Sequence, residues 1–481
     1  MVYSSQVRGV LSSEKKALIQ PSLPSSFENK FRSLKEEVYA KRPFLKRIIE
    51  KYGAYSLYDY SKTFYEGGDN PASSRKEELI MTVEKDVAET LGAELAVSVR
   101  KQLNKFYQVS TADHHGPICH PFFLSSNFLA GIVPGEVGME NLNHVVVLAC
   151  ATVSLENSSF PRGILFNSAS TKEVQKLPFF STHIRPSMVS HLKAYGREEM
   201  EKVLNSIHSK LSSKSITIDE EEFLKKLLAE VYLDDTVLKL PSFSAQVTRT
   251  NFTLWQKYFS QNKSFPSLVY LELEKIVVRL LLDHHINAHT IINSLFFDSN
   301  YRQLLLKFEG LTGAFDRKNN YGTFLFWGVP PGTRYRLQLW NEGNFLVSAD
   351  GSYRVEMTPE AIGKALQNKE IIPSLLLDFL LLTCYYGLKC QGGFSQVNYL
   401  SEIRDVYVSL VSELGLFEEL NVAKSVKTDE MCGDFLVALG RRRGGELFLA
   451  TGIDWLMRAD SNSWKVFEGQ CKELSLEETL N

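Results

Sequence analysis

A chain of 481 residues is too long for one small core, which points to two or three subdomains. Its composition, 44% hydrophobic, 11% aromatic and 23% charged, is that of an ordinary globular chain with ample apolar material for a core. A formal net charge of −2 provides no global field for nucleic acid, and six cysteines without a C-x-x-C pair leave a zinc ribbon or thioredoxin-like site unsupported.

The first 25 residues are rich in Ser and Pro and read as a loosely docked arm without the apolar core of a secretory signal. From 26 to 53 the pattern is helical, with Phe27, Phe31, Leu34 and Val38 at three- and four-residue spacing. Residues 66–75 are dense in turn formers, and 77–106 are helical again.

The centre of the chain has a different pattern. A strand-like run over 106–112 leads into a polar loop, then a helix-like run over 121–132, then a second apolar strand over 144–153. This is the opening of an α/β unit, where ligands bind at the carboxyl ends of strands. The loop holds Asp113, His114, His115 and His120 within eight positions. A second loop, 153–163, carries Pro161-Arg162-Gly163 and is expected at the same sheet edge. Residues 164–166 read as a short strand and 177–186 as extended, the latter with Ile184-Arg185-Pro186.

Further along, 188–211 reads as helix, 219–233 as a helix with an acidic start, and 268–297 as one long buried helix. Between 321 and 358, three strand-like runs separated by Pro330-Pro331-Gly332 and Asn341-Glu342-Gly343 predict an antiparallel meander. Thr358-Pro359-Glu360 then opens a helix, Thr as cap and Pro in the first helical position. The longest apolar stretch, 371–388, has Asp378 at its middle and reads as a buried helix over 372–388 rather than a membrane span. Gly392-Gly393 precedes a helix over 395–414, and 434–450 reads as a hairpin tipped by Arg441-Arg442-Arg443-Gly444-Gly445.

The expected fold is therefore α/β: a Rossmann-like central sheet with a helical N-terminal region and a C-terminal region containing a β-meander and helices. The divisions fall at 1–95, 96–265 and 266–481.

Six features bear on chemistry. Histidine moves protons near neutral pH and is the commonest nitrogen ligand of metals, so Asp113, His114, His115 and His120 are the candidate catalytic group. Cys119, between two of those histidines, is a weaker nucleophile candidate. A second Asp-His-His begins at Asp283, and His285 and His289 lie one helical turn apart, although the full H-E-x-x-H pattern is absent. Arg162 and Arg185 suit a carboxylate or phosphate, and Gly392-Gly393 exposes backbone N–H groups that suit an anion. Arg441, Arg442 and Arg443 suit phosphate or RNA but lack interleaved aromatics.

The strand followed by Asp113-His114-His115-Gly116 resembles the third motif of the DHH phosphoesterases. That family also takes carboxylates for a manganese pair from an earlier Asp-x-Asp. None precedes Asp113 here, since Asp59 and Asp69 stand alone, so the family is not adopted. The strand, a Thr-rich turn with Gly116-Pro117 and the late Gly392-Gly393 are similar in layout to the cysteine-adding enzyme of bacillithiol synthesis, which implies a nucleotide-like fold; that enzyme's characteristic strings are absent.

The resulting expectation is a cytoplasmic enzyme that hydrolyses or transfers a group of a small anionic molecule. His115 and His120 are the proton-transfer candidates, and Arg162, Arg185, Gly392 and Gly393 are the substrate-binding candidates. No obligatory metal is expected, no cofactor is identifiable, and neither membrane nor nucleic acid is the expected partner. The competing expectations are a non-catalytic interaction protein with structural histidines, or nucleic-acid binding through Arg441–Arg443.

Overall fold

In the computed structural model, residues 25–66, 73–118, 120–133, 142–259, 265–311, 314–435, 438–442, 445–459 and 463–480 are described. The expected arm up to residue 24, Cys119, Arg443, Gly444 and most of the loops 66–75 and 131–143 lie outside them.

Two helices, Ser73–Thr90 and Ala93–Lys105, lead into β1 (Gln108–Ser110), and the helix Pro121–Gly131 separates it from β2 (His144–Ala149). β3 (Gly163–Asn167) and β4 (Val174–Pro178) pair as an antiparallel hairpin. A helical stretch ending in Phe243–Tyr258 precedes β5 (Ser267–Glu272). β6 (Phe315–Asp316) and β7 (Tyr321–Gly322) make a minimal hairpin. The expected meander follows as β8 (Phe326–Gly328), β9 (Leu337–Glu342), β10 (Phe345–Ser348) and β11 (Arg354–Glu356). With β12 (Ile371–Pro373) it forms an antiparallel sheet in the order β11-β10-β9-β8-β12. β13 (Lys389–Gln391) returns to the central sheet, and β14 (Leu439–Arg441) with β15 (Leu447–Leu449) forms the late hairpin.

The central sheet is four-stranded, in the order β13-β1-β2-β5, and every pairing is parallel. Two of its strands come from beyond residue 266. All six residues of β2 are buried, as a strand covered on both faces requires. Alternate residues divide between two cores. Val145, Val147, Leu268 and Tyr270 pack with Phe128 and Trp255 on one face. Val146, Leu148, Val269 and Leu271 pack with Val83 and Val99 on the other. The chain is thus mixed α/β, with helices on both faces of a parallel sheet.

Three expected helices are broken up. The run 268–297 begins as β5, continues as the helix Leu273–Leu280 and a π-helical turn Leu281–His285, and resumes as Ile291–Phe297. A continuous apolar run suits a buried strand as well as a buried helix, and pairing with β2 from His144↔Ser267 to Ala149↔Glu272 decides for strand. The run 372–388 divides for the same reason: β12 pairs with β8, and only Leu375–Phe379 and a π-helical turn Leu380–Tyr385 are helical. Over 188–211 the helix starts only at Arg197. The Glu199 side chain accepts from Gly196 N at 2.8 Å there, while Lys193 and Met188 bridge to neighbouring loops. Among the described residues, no helix is long and apolar enough to cross a membrane.

Candidate functional site at the carboxyl edge of the parallel sheet

β1 ends at Ser110, and the chain continues along the sheet edge through Asp113 and His114, where His114 bridges Cys150 in parallel. Cys150 N donates to Asp113 O and His115 N to Cys150 O, which ties the histidine loop to the end of β2. The loop lies against 157–163: a Cβ on Gly116 would stand 2.7 Å from Pro161 Cα and 2.9 Å from Pro161 Cβ. Phe160, next in that second loop, sits at a φ of 55°, a strained conformation for a bulky side chain. Gly116→Ala therefore has no room at a backbone contact and is expected to cost about 1–3 kcal/mol in denaturant unfolding. A loss below about 0.5 kcal/mol would mean that the two loops part freely.

The three loop histidines differ in their surroundings. His114 is half-buried, with Nδ1 3.0 Å from Ser159 Oγ. Ser159 Oγ donates to Asn157 Oδ1 at 2.9 Å, so its lone pair receives Nδ1–H from His114. That assigns the proton to Nδ1 and the acceptor lone pair to Nε2. Burial holds the His114 pKa at about 4, so the ring is neutral at pH 7. His115 has the opposite arrangement and is fully buried. Ser244 Oγ donates to Glu272, so His115 Nε2–H donates to Ser244, and the ring stacks on Tyr270 with centroids 5.3 Å apart. His120 is half-buried, rests on Phe122 and Phe123, and shares Phe123 with His114. Its Nδ1 is buried without a partner among the described residues, and burial lowers its pKa. His114 and His120 thus share the Phe123 ring and are half-buried, while His115 is enclosed against Tyr270 and Ser244.

Asp113 is fully buried and accepts from Asn127 Nδ2 at 2.9 Å. Burial, with a contribution from Asp434, pushes its pKa up to about 8, so it is a neutral acid at pH 7. Asp434, pushed up to about 6 by burial, accepts from Phe394 N at 3.0 Å. A Cβ on Gly393 would meet Asp434 Oδ2 at 2.3 Å. The anion position after Gly392-Gly393 is therefore taken by the chain's own carboxyl.

Two further carboxyls meet at the ends of β2 and β5. Glu274 accepts from the N–H groups of Ala151 and Thr152, each at 2.8 Å, and from the Cys150 thiol at 3.3 Å. Burial, then Glu272, raises its pKa. Asp378 is buried nearby, and burial followed by Glu274 holds it well above the carboxylate range. Burial and Glu274 likewise keep the half-buried Cys150 thiol protonated. From the meander, Arg336 places its guanidinium 4.1 Å from the Trp327 ring and donates Nη1 to Thr152 O at 3.0 Å.

Arg162 is half-buried over the Phe160 ring at 5.1 Å, and its Nε and Nη1 are buried without partners among the described residues. Burial, then repulsion from Arg185, lowers its pKa; Arg185 itself is exposed.

The second Asp-His-His segment lies elsewhere. His285 is buried, with Nδ1 3.0 Å from Thr290 Oγ1 and Nε2 2.9 Å from Tyr386 Oη, whereas His289 is exposed. Tyr386 O accepts from Tyr107, the residue preceding β1, so this cluster adjoins the amino end of the strand that carries Asp113 at its other end. Among the described residues, no group of three or more His, Cys, Asp or Glu side chains is arranged to hold a metal. At the late hairpin, Arg441 donates to Gly445 O, and Arg442 donates to Lys172 O and pairs with Glu446.

Glu274, Asp378, Arg336, Ser159 and Asn157 were not singled out as site residues in the sequence. The one usable signal was Glu272-Leu273-Glu274 directly after an apolar run, where acids mark a strand end rather than the interior of a buried helix. No known protein family and no curated protein matches the chain.

Proposed function

We propose that the protein is an enzyme that hydrolyses or transfers a group of a small anionic molecule at the carboxyl edge of the parallel sheet. The observation that carries the reading is the Asn157–Ser159–His114 chain of hydrogen bonds. It leaves a neutral imidazole with its lone pair on Nε2 at a strand end, the protonation state in which a histidine can take a proton. In this reading His114 Nε2 takes the proton from water or an acceptor hydroxyl as its oxygen attacks the electrophilic centre, then returns it to the leaving group. Arg162, whose Nε and Nη1 are buried without a partner among the described residues, is the cation read as facing the substrate anion. His120 lies beside His114 on the shared Phe123 ring, and the buried His115 and Asp113 position the loop. The sheet with helices on both faces is read as Rossmann-like, and its site falls where such folds bind ligands. The free thiols of Cys150, Cys384, Cys390, Cys432 and Cys471 suit a reducing, cytoplasmic setting.

The test is turnover of a panel of small phosphate and carboxylate esters by the full chain, with His114→Gln and His120→Gln beside it. Loss of the base is expected to lower the rate about 100-fold or more with the melting temperature retained. Turnover that survives His114→Gln, or no turnover across the panel, would overturn the assignment.

A further inference from the structure

We infer that the cleft between the 3-10 turn Val189–His191 and the turns 330–333 and 368–370 binds a small phosphate monoester. Lys193 and Lys369 hold the phosphate, and the proline-bearing walls hold the organic part. The inference goes beyond the reading of the histidine loop and does not depend on it.

The cleft has a volume of about 570 Å³. That lies within the range of about 300–1,000 Å³ in which small-molecule sites fall. It forms where the meander meets the α/β core. On the core side, Ser190 N donates to Ala151 O at 3.0 Å, just past the end of β2. Ser242, the cap of the helix Phe243–Tyr258, also lines it. Two residues on, the Ser244 hydroxyl donates to Glu272 at the end of β5. On the meander side are the β8–β9 connection and the turn that precedes β12. The cleft therefore borders the carboxyl ends of β2 and β5, the edge at which α/β sheets bind ligands.

Its walls are tied together by the chain's own hydrogen bonds. Phe243 N donates to Leu192 O, and Lys193 bridges Ser242 in antiparallel fashion, so the Lys193 backbone is pinned to the start of the helix. Across the cleft, His191 Nε2 lies 3.0 Å from Lys369 O. A carbonyl only accepts, so Nε2 carries the proton and Ser190 Oγ donates to Nδ1 at 2.9 Å. His191 is thus a strut between the core wall and the meander wall. Lys369 sits at a φ of 57°, a left-handed conformation that is strained for lysine, and the bond from His191 is one of the contacts that hold it there. Thr333 donates both its N–H and its hydroxyl to Pro330 O and closes the third wall.

Apart from His191, the charged groups that line the cleft are Lys193, Lys369 and Glu370. Both lysines are exposed, and neither has an ion pair among the described residues. Glu370 accepts from Asn368 Nδ2 at 3.1 Å. A carboxylate ligand would answer one ammonium group. A phosphate monoester carries a charge of about −1.5 to −2 at pH 7 and three acceptor oxygens, which is enough for both. Pro241, Val329, Pro330 and Pro331 supply the apolar lining for the organic part. Proline side chains lose almost no freedom when a ligand covers them, so this surface binds at little entropic cost.

The experiment is calorimetric titration of the full chain at pH 7 and low salt with glucose 6-phosphate and with AMP, beside glucose and adenosine. Wild type is compared with Lys193→Gln, Lys369→Gln and the double variant. A Lys101→Gln, Lys424→Gln control removes two exposed lysines that do not line the cleft. At least one monoester is expected to bind with a Kd below about 1 mM, and about tenfold or more tightly than its unphosphorylated parent. Each single cleft variant should weaken that binding about tenfold. The double variant should remove the preference for the phosphate, with the melting temperature retained because both side chains are exposed. The control should bind as wild type does. Failure of both monoesters to bind, no preference over the parents, or a double variant that binds no worse than the control would overturn the inference. The readout is binding and not turnover, so its failure leaves the histidine-loop reading standing, and the failure of that reading leaves this one.

Discussion

Asp113→Asn is expected to stabilise the protein at alkaline pH. An unfolded aspartate ionises near pH 3.9, whereas Asp113 in the fold keeps its proton until about 8. Between those values the folded state binds more protons than the unfolded chain, so stability falls as pH rises through the window. Four pKa units correspond to an upper bound of about 5 kcal/mol, and relaxation of the interior brings the expected gain in the variant to about 2–4 kcal/mol at pH 8. Asparagine is a neutral isostere whose carbonyl can keep the bond from Asn127 Nδ2. Below pH 4 both forms are neutral in either state, and the difference should shrink to within about 1 kcal/mol.

The acid limb has a different origin. Burial holds His114 and His144 at about 4 and His285 at about 3. Their folded values lie below the unfolded value near 6.5, so stability falls as pH drops through 6.5. Wild type should therefore be most stable near pH 6.5. Asp113→Asn should make the alkaline limb shallower, with Glu274 and Asp378 retaining part of it because burial raises them too. Denaturant unfolding from pH 5 to 9 measures both limbs. A variant with an unchanged alkaline slope would show that Asp113 is ionised in the fold.

Glu274→Ala is expected to cost about 4 kcal/mol, a large share of the stability of an ordinary domain. The carboxylate is the acceptor for Ala151 N and Thr152 N, and both donors are buried. Each orphaned N–H costs about 1–3 kcal/mol, and the lost side chain leaves a cavity where β2 meets the helix Leu273–Leu280. Relief of the repulsion on Asp378 offsets a fraction of this. Glu274→Gln keeps one acceptor and should cost about half as much. A guanidinium midpoint for Glu274→Ala within error of wild type would mean that water replaces the carboxylate and that the end of β2 is open.

The local elements with their own chemistry were legible in the sequence. Thr358 caps the helix Pro359–Gln367 through Ala361 N with Pro at its start, as the Thr-Pro-Glu string predicts. The meander between the Pro-Pro-Gly and Asn-Glu-Gly turns and the late hairpin also form as expected. Such features depend on residues within four or five positions of one another, so a linear reading captures them. The strand-loop-helix-strand order around Asp113 is legible for the same reason, and it located the sheet edge.

Partner-dependent properties were not legible. Leu268 to Leu271 is a strand because β2 lies beside it, and no periodicity within the run distinguishes it from a helix. Arg336 reaches Thr152 across 184 positions, and Glu274 reaches Thr152 across 122. The adjacent residues His114 and His115 have the same side chain and opposite tautomers, because Ser159 receives from one and Ser244 from the other. The sequence alone determined which segments carry the titratable groups and roughly where they sit on their elements. Tertiary structure alone decided which of those groups are buried, which are neutral and which nitrogen of each ring carries the proton. Desolvation and hydrogen-bond direction are properties of the neighbours that a side chain acquires on folding, and those neighbours come from distant parts of the chain.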